Sequence, residues 1–317
     1  MRKLYGANIL VSTNGLTEEE WKNYRRLGIG GSDVGGVLGA SAYSTPLSVW
    51  LNKVEGYDKP AGRAAHRGRM CEDWIAREAA DRNGWKIKRV NAVLQHPEHK
   101  FMLANVDRII VSPDLAIHEI KMINSNSREK MVLDKGVLPE HELQVRWYLA
   151  VLDIEKCWVT YDLPTHDPMD FLVERDMEFE QAMINACKDF WKLVEGNNPP
   201  AVDGSEAADD WLKRRFNPTE GCIELPEDAA MLVVQYQSAC DVIREAETSK
   251  KTAQQRLEVM IGDKTWGRAG GFEVSWRPYS TNRVDTDRLK KELPEMAATY
   301  TKTTEARRFS IKKGERK

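Results

Sequence analysis

The stretch Ala104-Asn105-Val106-Asp107, with His118-Glu119-Ile120-Lys121 after the next turn, decides how this chain is read. Residues 101–111 and 116–123 are rich in Ile, Val, Leu and Phe, as strands are, and Ser112-Pro113-Asp114 between them is a turn signal. A hairpin centred on Pro113 pairs residues equidistant from it, which sets Asp107 opposite Glu119. Their Cβ atoms then stand roughly 4.5–5.5 Å apart. The two-residue period of a strand puts Lys121 on the same face as Glu119 and turns Ile120 to the other.

Like charges placed directly opposite each other destabilise a sheet, so something positive belongs between them. A hard, oxygen-preferring cation fits: the two carboxylates hold Mg²⁺, with Lys121 beside it to hold or polarise a water. A surface hairpin with solvated charges fits the same loose pattern equally well. The choice falls to the rest of the chain.

The 317 residues leave room for a large domain or for a catalytic domain with an appendage. Hydrophobic residues at 41% and charged ones at 30% describe a foldable globular chain. No apolar run approaches the ~18–20 residues of a membrane helix. The apolar patch Ile9-Leu10-Val11 is too short for a signal-peptide core, so a cytoplasmic location and no membrane partner are expected. A net charge of −2 excludes a strongly basic, non-specific DNA coat but leaves room for an enzyme with a basic groove. From Arg277 to Lys317, twelve Lys/Arg stand against six Asp/Glu, a local basic tail. Five cysteines (Cys71, Cys157, Cys187, Cys222, Cys240) form no C-x-x-C pair. That reads as reduced thiols, with neither structural zinc nor an iron–sulfur cluster.

Thr17 with Glu20 forms a capping box, and Thr45-Pro46 starts the next helix. A helix over 67–83 stops at Gly84; strands follow near 85–95, 101–111 and 116–123. A helix begins near Pro139, Cys157 to Leu163 returns as a strand, and a long helix near 175–195 ends at Gly196-Asn197-Asn198-Pro199-Pro200, the expected linker. Residues 1–200 are therefore the catalytic domain and 201–317 an extension. In the extension, apolar residues recur every three, four or seven positions from Leu232 to Ile261, the mark of a long amphipathic helix or helical pair. The alternation Phe272, Val274, Trp276 follows, with Arg308-Phe309-Ser310-Ile311 as its expected partner strand.

Two polar residues interrupt apolar helix faces. Glu72 shares a face with Ile75, Ala76 and Ala79, and a carboxylate there needs a cation. The cation is either a metal, directly or through its water, or an arginine such as Arg67 or Arg69. Gln144 shares a face with Trp147, Tyr148 and Val151 and must find a hydrogen-bond partner: the lysine, a phosphate beside the metal, or backbone. The glycine-dense loop Gly28 to Gly36, with Arg25, Arg26, Ser32 and Asp33, suits an anion nest, or a helix N-cap with glycines for close packing. It is neither a P-loop nor a dinucleotide fingerprint. The six histidines have no metal-ligand spacing; His118 points to the far face of its strand and reads as structural.

These elements together resemble the YqaJ-type viral recombinases, the phage lambda exonuclease-like branch of the PD-(D/E)XK nucleases. The matching segments occur in family order: Arg26 to Asp33, Gly39 to Leu47, Gly68 to Glu72, Asp107, Glu119-Ile120-Lys121, and the Q-x-x-x-Y run Gln144 to Tyr148. Together they span residues 21 to about 160, and the segment from Ala269 to Lys313 resembles the C-terminal extension of longer members. The resemblance implies an α/β fold, a mixed sheet flanked by helices, and a Mg²⁺-dependent nuclease, with two ions and Mn²⁺ able to substitute. It implies Asp107, Glu119, the Ile120 carbonyl and Glu72 as metal ligands, Lys121 as the aid to the nucleophile, and Gln144 in the active site. Arg26 and Ser32 match the residues that hold the 5′-phosphate, at a spacing one residue shorter than in the family. Where many members carry a second Gln, this chain has Arg146. Further implications are 5′→3′ digestion of double-stranded DNA ends, a ring-shaped homotrimer, a single-strand annealing protein as partner, and a phage or prophage origin.

Overall fold

The computed structural model describes residues 2–58, 62–303 and 307–312. The chain divides between Phe216 and Asn217 into two compact units. The first opens with β1 (Lys3–Leu4), β2 (Ala7–Ser12), α1 (Glu18–Arg26), β3 (Ile29–Gly30), α2 (Gly31–Val37), α3 (Pro46–Glu55) and α4 (Arg63–Asn83). Next come β4 (Lys86–Arg89), β5 (Ala92–Gln95), β6 (Met102–Ala104), β7 (Arg108–Ser112) and β8 (Ala116–Met122). It closes with α5 (Asn126–Lys135), α6 (Pro139–Leu152), β9 (Lys156–Asp162), β10 (Met169–Glu174), α7 (Met177–Glu195) and α8 (Glu206–Arg215). The capping box expected at Thr17 is formed, and Thr45 caps α3 with Pro46 at its start, as expected.

The strands make two mixed sheets, ordered β1-β2-β5-β6-β3 and β10-β9-β8-β7-β4. The β7–β8 hairpin pairs Arg108 with His118, Ile109 with Ile117 and Ile110 with Ala116, all equidistant from Pro113, so the expected register is the observed one. β8 then runs parallel to β9 in the centre of its sheet. The strands expected near 85–95 and 101–111 each break in two, and the halves join different sheets. Asn105 marks the second break. It leaves the strand pattern and gives its Nδ2 to the Ala92 carbonyl at 3.3 Å, at the first break.

Helix α6 is buried over most of its circumference, from Leu143 to Leu152, because it packs against β5 and β6 of one sheet and β8 to β10 of the other. A helix apolar all round is one buried all round. Trp147 ties it to the first sheet, giving its Nε1–H to the Leu103 carbonyl at 3.0 Å. Helix α4 covers the other side of β8, where Ile75 and Ala76 pack on Ile120. Alternation along β8 thus sends Ile120 to α4 and leaves Glu119 and Lys121 facing α6.

Gly196 to Pro200 leads into α8, which packs on α3. Trp211 gives its Nε1–H to Glu55 Oε1 at 3.1 Å, and Arg214 pairs with Glu55 at 3.1 Å. These contacts draw the division between units past the glycine–proline segment to residue 216. The second unit contains α9 (Ala229–Ile261), the hairpin β11 (Trp266–Ala269) and β12 (Phe272–Ser275), α10 (Thr286–Glu292) and α11 (Pro294–Thr299). Gly270 and Gly271 both take positive φ, the backbone that a two-residue hairpin turn requires. β12 therefore pairs with β11, its neighbour in sequence, and not with Arg308 to Ile311 as expected. The Phe309 ring instead lies edge-on to Tyr236, with centroids 5.2 Å apart. Residues 313–317 of the basic tail lie outside the described residues.

Candidate active site

Asp107 stands just ahead of β7, at the end of the crossing between the sheets, and its Oδ2 accepts the Ile120 amide at 3.0 Å. That bond closes the open end of the hairpin and brings the Asp107 carboxylate to the backbone of Glu119-Ile120-Lys121. Glu119 is 2% exposed. Its Oε1 accepts Lys121 Nζ at 2.8 Å and Gln144 Nε2 at 2.6 Å, while its Oε2 is buried with no partner.

Gln144 fixes the lysine. Its Oε1 accepts Lys121 Nζ at 2.9 Å, and its amide nitrogen donates both to Glu119 and to the Tyr148 hydroxyl, the latter at 3.0 Å. The amide orientation is thereby determined by three partners, and of the roles open to Gln144 the structure selects contact with the lysine. Tyr148, one helical turn further along α6, is 3% exposed. Gly31 makes room for it: a Cβ at that position would lie 2.4 Å from Tyr148 Cε1 and 3.0 Å from the Gln144 carbonyl oxygen. Glycine at the start of α2 is what lets that helix press against α6.

Glu72 reaches this centre from α4, on the opposite side of the sheet. Ile75, Ala76 and Ala79 on its face are buried as expected, and the carboxylate itself is half-buried. Its arginine partner is neither Arg67 nor Arg69. Arg108 takes that place, with its guanidinium donating to Glu72 Oε1 at 2.8 Å, to Asp73 Oδ1 at 2.9 Å and to the Asp107 carbonyl at 2.7 Å. The sequence carries a signal for this: Arg108 is a charged residue opening the otherwise apolar run Ile109-Ile110-Val111 and so needs buried partners.

The electrostatics follow from burial and crowding. Burial first, then the Glu119 and Glu72 charges, push the Asp107 carboxyl well above the usual range. Burial also raises Glu119 against the pull of Lys121. For Lys121, burial opposes the charge, but Glu119 and Asp107 outweigh it and hold the ammonium above its ordinary pKa. Two carboxylates, Glu119 buried and Asp107 half-buried, crowd beside one ammonium, and Glu119 Oε2 is an acceptor with nothing to accept. Both features fit a hard divalent cation bound through oxygen. Among the described residues no three His, Cys, Asp or Glu side chains gather as a ready-made cage. Mg²⁺ does not need one: it is commonly held by one or two carboxylates, with water filling the other positions.

A family model described as the YqaJ-like viral recombinase domain matches residues 20–155, a span that holds every residue of this centre. The uncharacterized protein YqaJ of Bacillus subtilis (strain 168) is 33% identical over 313 residues, covering 96% of this chain and 98% of that one. The chain belongs to the YqaJ-like viral recombinase family. Among solved structures, the alkaline exonuclease LHK-Exo of Laribacter hongkongensis is similar over 62% of this chain and 97% of its own, at 18% identity and a TM-score of 0.49. A phage-related exonuclease of Haemophilus somnus 129PT is similar over 62% of this chain and 100% of its own, at 12% identity and a TM-score of 0.39.

In this YqaJ-like chain the glycine loop departs from expectation at one residue. Ser32 stands on α2 beside Arg25, whose Nη2 reaches its Oγ at 2.6 Å; Arg26 does not. Successive residues of α1 point about 100° apart, so only one of the two arginines faces α2. Arg26 instead holds the turn after α3, donating to the Gly56 carbonyl at 3.1 Å and to Asp58 at 3.2 Å. The Arg25 guanidinium also lies over the Trp21 ring, 4.9 Å from its centroid. Asp33 takes the capping role: its Oδ2 accepts the Gly30 amide at 2.9 Å and pairs with the buried Lys53 at 2.6 Å. Arg146 turns away from Gln144 to Glu142 and the Glu174 carbonyl. His118 is buried on the far face, bonded to Thr160 Oγ1 at 2.8 Å, the structural position its alternation implied.

Proposed function

We propose that this protein is a Mg²⁺-dependent deoxyribonuclease that digests double-stranded DNA ends 5′→3′. The product would be a 3′ single-stranded tail for an annealing partner. The observation that carries the reading is the shared knot of Asp107, Glu119, Lys121 and Gln144, with one buried carboxylate oxygen left unpartnered. Asp107, Glu119 and the Ile120 carbonyl would hold the ion, and Glu72 would stand beside it. When bound, the metal lowers the pKa of a water and offsets charge on the phosphate. Lys121, kept as an ammonium by Glu119 and oriented by the Gln144 carbonyl, supplies positive charge from Nζ as the phosphate gains negative charge. Arg25 and Ser32 are the pair for the 5′-phosphate, in place of Arg26 and Ser32, and their separation restores the spacing by which Arg26 falls short. The family description, a viral recombinase domain, supports DNA as substrate. A homo-oligomer, ring-shaped as in the lambda-type enzymes, belongs to the same reading.

The test uses linear duplex labelled at the 5′ or the 3′ end, with Mg²⁺ or EDTA, and compares wild type with Asp107→Ala and Lys121→Ala. Mg²⁺-dependent loss of the 5′ label, abolished in both variants, is the expected result. Absence of Mg²⁺-dependent digestion by wild type would overturn the enzyme reading, and preferential loss of the 3′ label would overturn the polarity.

A further inference from the structure

We infer that Arg108 is a positioning residue for the metal centre, binding Asp107 and Glu72 into one preorganised unit. The inference rests on the nuclease reading above and adds a residue to it. Arg108 opens β7, and its side chain is 3% exposed, so its charge is nearly stripped of water. A buried guanidinium persists only where its donors are met. Here Nη1 donates to Glu72 Oε1 at 2.8 Å and to the main-chain carbonyl of Asp107 at 2.7 Å, while Nη2 donates to Asp73 Oδ1 at 2.9 Å.

The geometry is that of a tie bar. Asp107 is the last residue before β7 and lies outside the sheet ladder, so the backbone carrying this carboxylate lacks strand pairing of its own. Two bonds restrain it. Its side chain is fixed from β8 by the Ile120 amide, and its carbonyl is fixed by Arg108. The same guanidinium then reaches α4 on the far side of the sheet and holds Glu72 and Asp73. The planar, rigid fork of arginine spans these three acceptors at once; an ammonium on a flexible stem does not. The two acids that approach the metal position from different elements are therefore held at a fixed separation through Arg108. Partners of this kind, one shell behind the ligands, are typically worth 10–100-fold in metal affinity.

The experiment measures Mn²⁺ affinity by titration calorimetry on the full chain without DNA, for wild type, Arg108→Gln and Arg108→Lys. Melting temperature and circular dichroism are recorded in parallel. Arg108→Gln is expected to weaken Mn²⁺ binding about 10–100-fold. Arg108→Lys, which keeps the charge and loses the fork, is expected to recover only part of that loss. Wild-type affinity in a folded Arg108→Gln would overturn the inference. So would an Arg108→Lys variant that binds Mn²⁺ as wild type does, and this second variant keeps the test valid should Arg108→Gln not fold. Failure of the wild-type protein itself to bind Mn²⁺ would strike the metal-dependent reading, which is a separate result.

Discussion

Replacing Gly31 with alanine adds a single methyl group at the tightest contact behind the candidate active site. The new Cβ would stand 2.4 Å from Tyr148 Cε1, 2.8 Å from Tyr148 Cζ and 3.0 Å from the Gln144 carbonyl oxygen. Ordinary carbon–carbon contact needs roughly 3.5–4.0 Å, so the ring or helix α2 must give by about 1 Å. Tyr148 is 3% exposed, so its ring moves only by disturbing its neighbours. Overpacking of this kind costs about 1–3 kcal/mol. A 1 Å shift also stretches the 3.0 Å bond from Gln144 to the Tyr148 hydroxyl beyond hydrogen-bonding range, a further loss of about 1 kcal/mol. The expected total is about 2–4 kcal/mol. At roughly 2–4 °C per kcal/mol for a unit of this size, the melting temperature falls by about 4–16 °C in scanning calorimetry. The same displacement loosens the amide that aims Lys121, and misplacement by 1 Å is enough for about a 100-fold loss of rate. A Gly31→Ala protein that melts within a degree of wild type would refute the claim that glycine is required for the α2–α6 approach.

Gly68→Ala should act in the opposite sense. Gly68 lies inside α4 with nothing within 4 Å of its added Cβ, so about 0.4–1 kcal/mol of stabilisation is expected in urea denaturation. For His118, burial holds the imidazole down to about 4 from 6.5, so the folded state binds its proton more weakly than the unfolded chain does. Its contribution to stability is therefore complete above about pH 6.5 and is lost as pH falls toward 4, by about 3 kcal/mol in all. His118→Gln should flatten the stability profile across that window by up to one proton, and an unchanged slope would count against the buried neutral imidazole. Arg25→Ala should reduce the preference for 5′-phosphate over 5′-hydroxyl duplex ends at least tenfold. Arg26→Ala should leave that preference within about twofold, since Arg26 is spent on Gly56 and Asp58; the reverse ranking would restore the assignment made from sequence.

The centre was legible where local periodicity governs it and illegible where tertiary packing does. Equidistance from Pro113 gave the β7–β8 register, and alternation along β8 separated Glu119 and Lys121 from Ile120 and His118, because a strand has only two faces. The apolar stripe of α6 announced that Gln144 had to be satisfied inside the protein, but could not say by what. Arg25 and Arg26 were beyond that reach: adjacent residues of one helix differ only in azimuth, and where α1 lies against α2 is set by packing around β3. Arg108 carried a signal that reads two ways. A strand pattern ranks a charged first residue as a solvated end, and here the strand begins at the crossing between two sheets, where Arg108 is 3% exposed. The broken strands near 90 and 105 carry the same lesson. A hydrophobic run records that a segment is buried but not in which sheet, and the chain's crossing from one sheet to the other is what delivers Asp107 to Glu119. Asp107 and Arg108 are therefore best understood together, as the acid that the crossing exposes and the cation that fastens the crossing in place.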